Sequence, residues 1–414
     1  MRSVRNVGQG FFPLDEELEL YPGAVLTPWL RESLVRLGTW MPFARSAKML
    51  TWFTGVEISE KMARQITEGA GKALVSMEET FVKEIISTTP AAPKGGAVQL
   101  LSVDGCFVLL VGGAWKEVKT LTLGEVQPAQ LEKGVKKVHS TNLSYFSRLA
   151  DADSFTQASL GEIQRRGVEG AKVVCAVSDG ATWIQGLVDE HCPQAVRILD
   201  FWHAAEHLAA AGKAVYAYDT PKFEKWFAAQ RELLQAGKSS EVLSNLKLLS
   251  EETTSSEAKE TINKEIAYLT TRTPMLAYDK FSALGYPIGS GSAESANKIV
   301  VQARLKGVGM RWAEDHVNPM LALRGVVCND RWEQLWPQVR PSQLQARLTR
   351  VQLRLDRRRQ TTRLGGLEMT NNPTLPQVLL LEPEPPPQTS TKLLPPLPPY
   401  SWKNPFLRRP PSKN

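Results

Sequence analysis

Two Asp-Gly steps follow strand-like segments and offer carboxylates where a metal ion could bind. Asp104 follows the apolar run AVQLLSV, and Asp179 follows KVVCAVS. We predict that each aspartate ends a strand and that the two strands are adjacent and parallel, so that both carboxylates lie outside the same sheet edge. Two carboxylates so close repel each other unless a cation neutralises them. Oxygen ligands suit Mg²⁺ or Mn²⁺.

A third acid, Glu294, opens a predicted helix after the Gly/Ser-rich segment IGSGSA. Three carboxylates would complete a two-metal site for in-line phosphoryl transfer, in which one ion activates a water or 3′-hydroxyl and the other stabilises the leaving oxygen. Each residue also has a structural interpretation, because Asp-Gly is a common turn pair and glutamate favours a helix N-terminus. The three acids together are more specific evidence for a metal site than any one of them alone.

The elements around these acids indicate an α/β core. The β-rich runs AVQLLSVDG, FVLLVGG and EVKTLTLGEV precede a predicted helix at about 141–166, the strand KVVCAVSDG, the helix ATWIQGLVDEHC and the strand AVRILDF. This order is typical of a ribonuclease-H-like fold. We assign residues 94–205 to its first part, 206–285 to an all-helical insertion, and 286–338 to a C-terminal helical part that carries Glu294.

Residues 1–93 are predicted to form a helical domain. The helical segment FARSAKMLTWF is broken at Gly55, and Ser59 can cap a second helix whose polar face carries Lys61 and Arg64. This outline is typical of a DNA-binding helix-turn-helix, although an ordinary helical hairpin has the same pattern.

Basic residues are concentrated near the C-terminus. The net charge is +7, and residues 340–363 hold eight arginines and one acid. Residues 339–365 are predicted to form a basic amphipathic helix that presents Arg347, Arg350 and Arg354 to phosphate. The alternative is that these arginines form a solvated charged face without a binding role. Residues 366–414 form a proline-rich tail, which we expect to be extended or disordered.

Composition excludes several protein classes. No apolar run approaches the ~18 residues of a membrane helix, and the first residues lack the apolar stretch of a secretory signal. The four cysteines are scattered without a CxxC pair, so neither a zinc ribbon nor a disulfide framework is predicted. We expect a cytoplasmic protein without a membrane partner.

The motifs together resemble a known family. The segments SVDG, AVSDGATW, ILDFWHAAEHL, IGSGSAES, RLKGVGMRW and LALRGVVCNDRW look like those of insertion-sequence DDE transposases, most closely the ISKra-type group related to Mutator-like transposases. The resemblance implies a prokaryotic, nucleoid-associated enzyme that binds terminal inverted repeats and target DNA, acts as a homodimer, and cuts and joins DNA with two Mg²⁺ or Mn²⁺ ions. Its catalytic residues would be Asp104, Asp179 and Glu294.

Further residues acquire expected roles from this resemblance. Asp200 and His203 match a signature that follows the fifth strand in Mutator-like relatives, and His203 is expected to pack near the site or contact DNA. Expected DNA contacts after Glu294 are Asn297, Lys298, Arg304, Lys306, Arg311 and, on an unstacked base, Trp312. Core packing is the alternative for Trp312, and Trp332 and Trp336 are expected to be core residues.

Two alternatives remain open. The chain could be a non-catalytic or domesticated DNA-binding relative of a transposase. More remotely, the five residues from His203 to His207 match the H-x-x-E-H motif of a zinc metallopeptidase. That enzyme needs a third ligand from a later helix, for which Glu251 and Glu260 are candidates.

Overall fold

The computed structural model describes residues 26–132, 135–216 and 220–339, together with Leu353. Residues 26–339 belong to one compact unit, and Leu353 belongs to a second. The first unit is an α/β structure with one mixed five-stranded sheet, a two-stranded ribbon and many helices. In the described part of the chain, no helix is long and apolar enough to cross a membrane.

Three N-terminal helices precede the sheet. They are α1 (Pro28–Trp40), α2 (Phe43–Thr54) and α3 (Glu60–Thr88). As predicted, α2 ends at Gly55, which adopts a left-handed conformation with φ 71°, and the Ser59 side chain caps α3 by accepting a hydrogen bond from the Met62 amide. Lys61 and Arg64 are exposed on α3.

The sheet mixes parallel and antiparallel pairs. Its strands are β1 (Val98–Leu109), β2 (Trp115–Val126), β5 (Ser140–Leu149), β6 (Val173–Ser178) and β7 (Val196–Leu199), in the spatial order β5-β2-β1-β6-β7. The separate ribbon consists of β3 (Gln130–Glu132) and β4 (Val135–Lys137). β1 is parallel to β6 and β6 to β7, whereas β2 is antiparallel to both β1 and β5.

The prediction that Asp104 ends a strand is wrong, because the first two predicted strands are one. β1 runs straight through Asp104 and Gly105. Gly105 makes no turn here; its missing side chain instead leaves room for Glu117 on β2, whose Oε1 lies 2.1 Å from where a Cβ would be. However, β1 pairs with β6 only as far as Ser102, so Asp104 lies just beyond the end of the parallel pairing.

The predicted helix at 141–166 is also partly wrong. Its first half is strand β5, which pairs with β2 and buries Tyr145 and Phe146. Only Ala152–Arg165 forms a helix, α4, which begins where Asp151 accepts a hydrogen bond from the Ser154 amide. The N-cap residue sets this boundary, because the Asp151 side chain stabilises a helix that begins at Ala152 and not one that begins earlier.

The remaining helices follow the strands. They are α5 (Thr182–His191), α6 (Phe201–Lys213), α7 (Pro221–Gln235), α8 (Ser239–Glu252), α9 (Ser256–Thr271), α10 (Tyr278–Ala283), α11 (Gly291–Ala296), α12 (Ala303–Leu305) and α13 (Glu314–Cys328). A 3₁₀ turn covers Thr273–Met275, a π-helical segment covers Asn297–Gln302, and residues 332–339 are helical. Within 206–285, the described residues contain helices and no strand, as predicted.

Hydrophobic clusters cover both faces of the sheet. One face of β1, β6 and β7 packs against the helices between Phe201 and Phe281, and the opposite face packs against α4 and α5. The C-terminal half of β1 joins a third cluster with α1–α3 and α13, which includes Trp332 and Trp336. The core position predicted for these two tryptophans is confirmed, and the core crosses the predicted domain boundaries at residues 93 and 286.

Asn318 of α13 and Asn329, the residue that follows this helix, cover the free edge of β5. Asn329 accepts a hydrogen bond from the Tyr145 amide at 2.8 Å and donates one to the Tyr145 carbonyl at 2.9 Å. Asn318 makes the same pair of bonds with Leu149, at 2.8 and 3.1 Å. The side-chain amides thus replace a neighbouring strand and satisfy an edge that would otherwise be open to intermolecular pairing.

We predict that Asn329→Ala lowers the free energy of unfolding by about 1–3 kcal/mol, because it leaves a backbone donor and acceptor of β5 unpaired. Denaturant unfolding followed by circular dichroism measures this loss. The exposed Gln157 on α4 provides a control, and its replacement by alanine should change stability by less than about 0.5 kcal/mol. Equal effects of the two substitutions would contradict the edge-covering role.

Candidate active site

Asp104 is held by hydrogen bonds from two different parts of the chain. Its Oδ1 accepts from the Gly105 amide at 2.8 Å, and its Oδ2 accepts from Asn297 Nδ2 at 2.8 Å. Asn297 is 193 residues away in sequence and is buried. Both carboxylate oxygens therefore have a fixed orientation at the point where β1 loses its parallel neighbour.

Glu294 lies one turn before Asn297 and shares a cavity with Asp104. The cavity has a volume of about 340 Å³ and is lined by the segment 104–107 of β1 and by Glu294, Asn297, Lys298, Gln302 and Lys306. Glu294, Lys298 and Lys306 are exposed. The cavity thus combines two acids with two lysines, a combination that can bind a cation and a phosphate side by side.

Asp179 directly follows β6, as predicted. Its Oδ1 accepts a hydrogen bond from the Ala181 amide at 2.9 Å, and its backbone carbonyl accepts one from the Tyr268 hydroxyl. Asp179 is not among the residues that line the cavity. Its negative charge nevertheless acts on Asp104, so the two carboxylates lie within electrostatic range.

Burial raises the pKa of Asp104 above its ordinary value. The hydrogen bonds from Gly105 and Asn297 oppose this shift, whereas the charges of Asp179 and Glu294 raise the pKa further. A carboxylate with such neighbours is stabilised by a cation, because a cation offsets both the desolvation and the repulsion.

The carboxylates present are suitable ligands for a divalent cation, although only two of the three acids line the cavity. Asp104 and Glu294 supply hard oxygen atoms to one cavity. Asn297, whose Nδ2 donates to Asp104, has a buried Oδ1 without a hydrogen-bond partner. Among the described residues, no group of three or more His, Cys, Asp and Glu side chains is arranged to hold a metal ion.

Asp200 connects the end of the sheet to the segment that carries Glu294. Its side chain is buried, and it accepts hydrogen bonds from the His203 amide at 2.7 Å and from the Ser290 amide. Next to it, the Phe201 amide donates to the Ile288 carbonyl at 2.9 Å. Asp200 therefore caps α6 and anchors the loop before α11, which makes it a positioning residue for Glu294.

His203 lies on α6 with its ring beside that of His207 and does not line the cavity of Asp104. Glu251 and Glu260 were the candidates for the third zinc ligand of a metallopeptidase. Both are exposed, and neither belongs to a metal-binding group within the described chain. The carboxylate that does contact His207 is Glu265.

Trp312 and Arg304 are not surface contacts for DNA, and these two predictions are corrected. Trp312 is 6% exposed and its Nε1 donates to the Leu305 carbonyl at 3.1 Å. Arg304 is 3% exposed, donates to the Gly38 carbonyl at 2.9 Å, and lies against the rings of Phe43 and Trp312. Both residues join α12 to the N-terminal helices.

The other expected DNA contacts are either exposed or outside the described residues. Lys61, Arg64, Lys298, Lys306 and Arg311 are exposed, which is compatible with phosphate binding. The predicted basic helix with Arg347, Arg350 and Arg354 and the proline-rich tail lie outside the described residues, Leu353 excepted.

Asn297 was expected to contact phosphate and instead holds Asp104. Its spacing from Glu294 could have revealed this role, since residues i and i+3 share one face of a helix. The π-helical segment that begins at Asn297 could not have been read from the sequence, and such segments are frequent at functional sites.

We predict that Asp200→Asn loosens the loop before α11, because an amide offers one acceptor oxygen where the carboxylate offers two. Hydrogen–deuterium exchange should show faster exchange at residues 288–294, while α1–α3 keep their protection. The free energy of unfolding should fall by about 1–3 kcal/mol. Unchanged exchange at 288–294 would show that Asp200 does not anchor this loop.

We predict that Asp104→Asn gains thermal stability relative to the wild type as the pH rises from 3 to 7, by roughly 1–3 °C in the difference between the two melting temperatures when no divalent ion is present. A raised pKa means that the folded state is penalised for the charge of Asp104, and the penalty is complete only above the folded pKa. At pH 3, where the carboxyl is protonated in both states, the difference reports only the hydrogen bond that the amide cannot accept. Thermal melts across this range measure the difference, with the exposed Asp153→Asn as control; a difference in melting temperature that does not change with pH would contradict the charge penalty at Asp104.

No known protein-family model matches this chain, and no curated protein matches it. The likeness to transposases therefore stays a prediction from the sequence motifs.

Proposed function

We propose that this protein is a DDE-type DNA transposase that cleaves and joins DNA strands by metal-dependent phosphoryl transfer. The observation that carries the proposal is the cavity that brings together Asp104, Glu294, Lys298 and Lys306. Acids for a cation next to lysines for phosphate are the combination that this chemistry requires.

The topology supports a ribonuclease-H-like core. In chain order, the first three strands of the sheet are β1, β2 and β5, and β2 pairs antiparallel with both of the others. β1 also pairs in parallel with β6, and β6 pairs in parallel with β7. The helices from α6 to α10 lie in sequence between β7 and Glu294. This position is where a helical insertion would interrupt such a core, before its final acidic helix.

In this proposal, Asp104, Glu294 and Asp179 hold two Mg²⁺ or Mn²⁺ ions. When bound, the ions would activate the attacking oxygen and stabilise the leaving one. The chain itself fixes the orientation of Asp104 through Gly105 and Asn297. Lys298 and Lys306 would bind phosphate oxygens of the strand that enters the cavity, since both are exposed at its wall.

DNA recognition and assembly are further parts of the proposal. The exposed Lys61 and Arg64 of α3 would contact the phosphates of a terminal inverted repeat. Two ends must be brought together with target DNA, so a homodimer is expected. We place the enzyme in a prokaryotic cytoplasm, associated with the nucleoid.

We predict that the purified chain cleaves a plasmid carrying the DNA that flanks its coding sequence, and that cleavage requires Mg²⁺ or Mn²⁺. Asp104→Asn, Asp179→Asn or Glu294→Gln should each reduce the cleavage rate by about 10³-fold or more, because each removes a charged ligand of the metal ions that act on the reacting phosphate. End-labelled products resolved on denaturing gels measure the rate.

The matched control is Asp153→Asn, a substitution of the same kind on the exposed start of α4. It should cleave like the wild type, and all four variants should bind the DNA ends with similar affinity. Binding without cleavage by the wild type would favour the non-catalytic alternative. Near-normal cleavage by the Asp179→Asn variant would show that Asp179 is not a catalytic residue.

A further inference from the structure

His203 and His207 form a ring pair that the proposed nuclease chemistry does not use. They lie one turn apart on α6, with ring centroids 4.8 Å apart and planes at 87°. Their Nε2 atoms face each other at 3.2 Å. Both side chains are partly exposed, at 34% and 20%, so solvent ions can reach them.

Each ring has a carboxylate at its other nitrogen. His207 Nδ1 contacts Glu265, a largely buried residue of α9, and His203 Nδ1 lies 3.4 Å from Glu206. A carboxylate accepts hydrogen bonds, so each ring pairs with its carboxylate in the tautomer that carries the proton on Nδ1. In neutral rings of this tautomer, the Nε2 lone pairs point at each other, which is a repulsive arrangement that a cation between them relieves.

The geometry matches a pair of metal ligands. Two imidazole nitrogens bound to tetrahedral zinc at about 2.0–2.1 Å are about 3.3 Å apart, close to the 3.2 Å found here. Histidine ligands usually donate their second N–H to a carboxylate, which orients the ring and raises its basicity. Imidazole suits zinc, copper and nickel, whereas magnesium prefers oxygen.

We propose that His203 and His207 bind a late first-row divalent ion of the Zn²⁺ class through their Nε2 atoms. Glu265 and Glu206 hold the rings in this orientation. Because no third His, Cys, Asp or Glu completes the set within the described chain, water occupies the remaining positions and the ion exchanges with solvent. This site is separate from the cavity of Asp104 and Glu294.

Tyr268 connects this site to the segment after β6. Its ring stacks on His207 at 3.7 Å, and its hydroxyl donates to the Asp179 carbonyl. An ion that fixes His207 therefore also restricts Tyr268, and through it the backbone of Asp179.

The test is Zn²⁺ titration of the full chain by calorimetry in excess Mg²⁺, with Co²⁺ absorption in the visible region as a second probe. We expect one ion per chain. His203→Gln and His207→Gln should each abolish this binding, and Glu265→Gln should weaken it by about 10–100-fold. His139→Gln, which alters a histidine in the loop before β5, should leave it unchanged.

Circular dichroism of each variant confirms that loss of binding is not loss of folding. The proposal is overturned if the folded wild type binds no Zn²⁺ when one equivalent is added. In that case a shared proton, and not a metal ion, lies between the two Nε2 atoms. It is equally overturned if binding survives both histidine substitutions. Neither outcome affects the proposed DNA cleavage, because the titration contains no DNA.

Discussion

The hydrogen bond from Asn297 to Asp104 is the contact on which the candidate site depends. It joins the central strand of the sheet to a helical segment that follows all the strands in sequence, and it does so where β1 has lost its parallel neighbour. Without such a contact, two acids from distant segments would separate, since their charges repel and the burial of the Asp104 carboxylate is unfavourable. The unpartnered Oδ1 of the buried Asn297 is an energetic cost of this arrangement, and such costs are typical of sites built for function.

Polar side chains that bond to backbone hold the surrounding elements in place. Asp200 anchors the loop before Glu294, and Asn318 and Asn329 cover the edge of β5. Each side chain satisfies backbone groups on an element distant in sequence, so the buried polar backbone remains paired where regular pairing ends. Helix α13, which carries Asn318 and ends beside Asn329, packs into one hydrophobic cluster with α1–α3 and with residues that follow Glu294.

Local signals allowed much of the fold to be predicted. Ser59, Gly55 and the apolar run before Asp179 indicated their elements because caps and buried strands depend on neighbouring residues. The continuous strand through Asp104-Gly105 was missed because Gly105 serves a contact with Glu117 on another strand. The burial of Trp312 and Arg304 was missed for the same reason: their partners, Phe43 and Gly38, lie more than 250 residues earlier in the sequence. Long-range partners cannot be read from spacing alone.

The central claim is that Asp104 and Glu294 bind the same divalent cation. Iron-mediated cleavage of the polypeptide tests it directly, because Fe²⁺ bound in place of Mg²⁺ generates radicals that cut the backbone nearby, and mass spectrometry locates the cuts. We expect cuts close to residues 104 and 294 that excess Mg²⁺ suppresses and that Glu294→Gln abolishes. Cuts near only one of these two residues, or cuts at residues 104 and 294 that persist in Glu294→Gln, would contradict it.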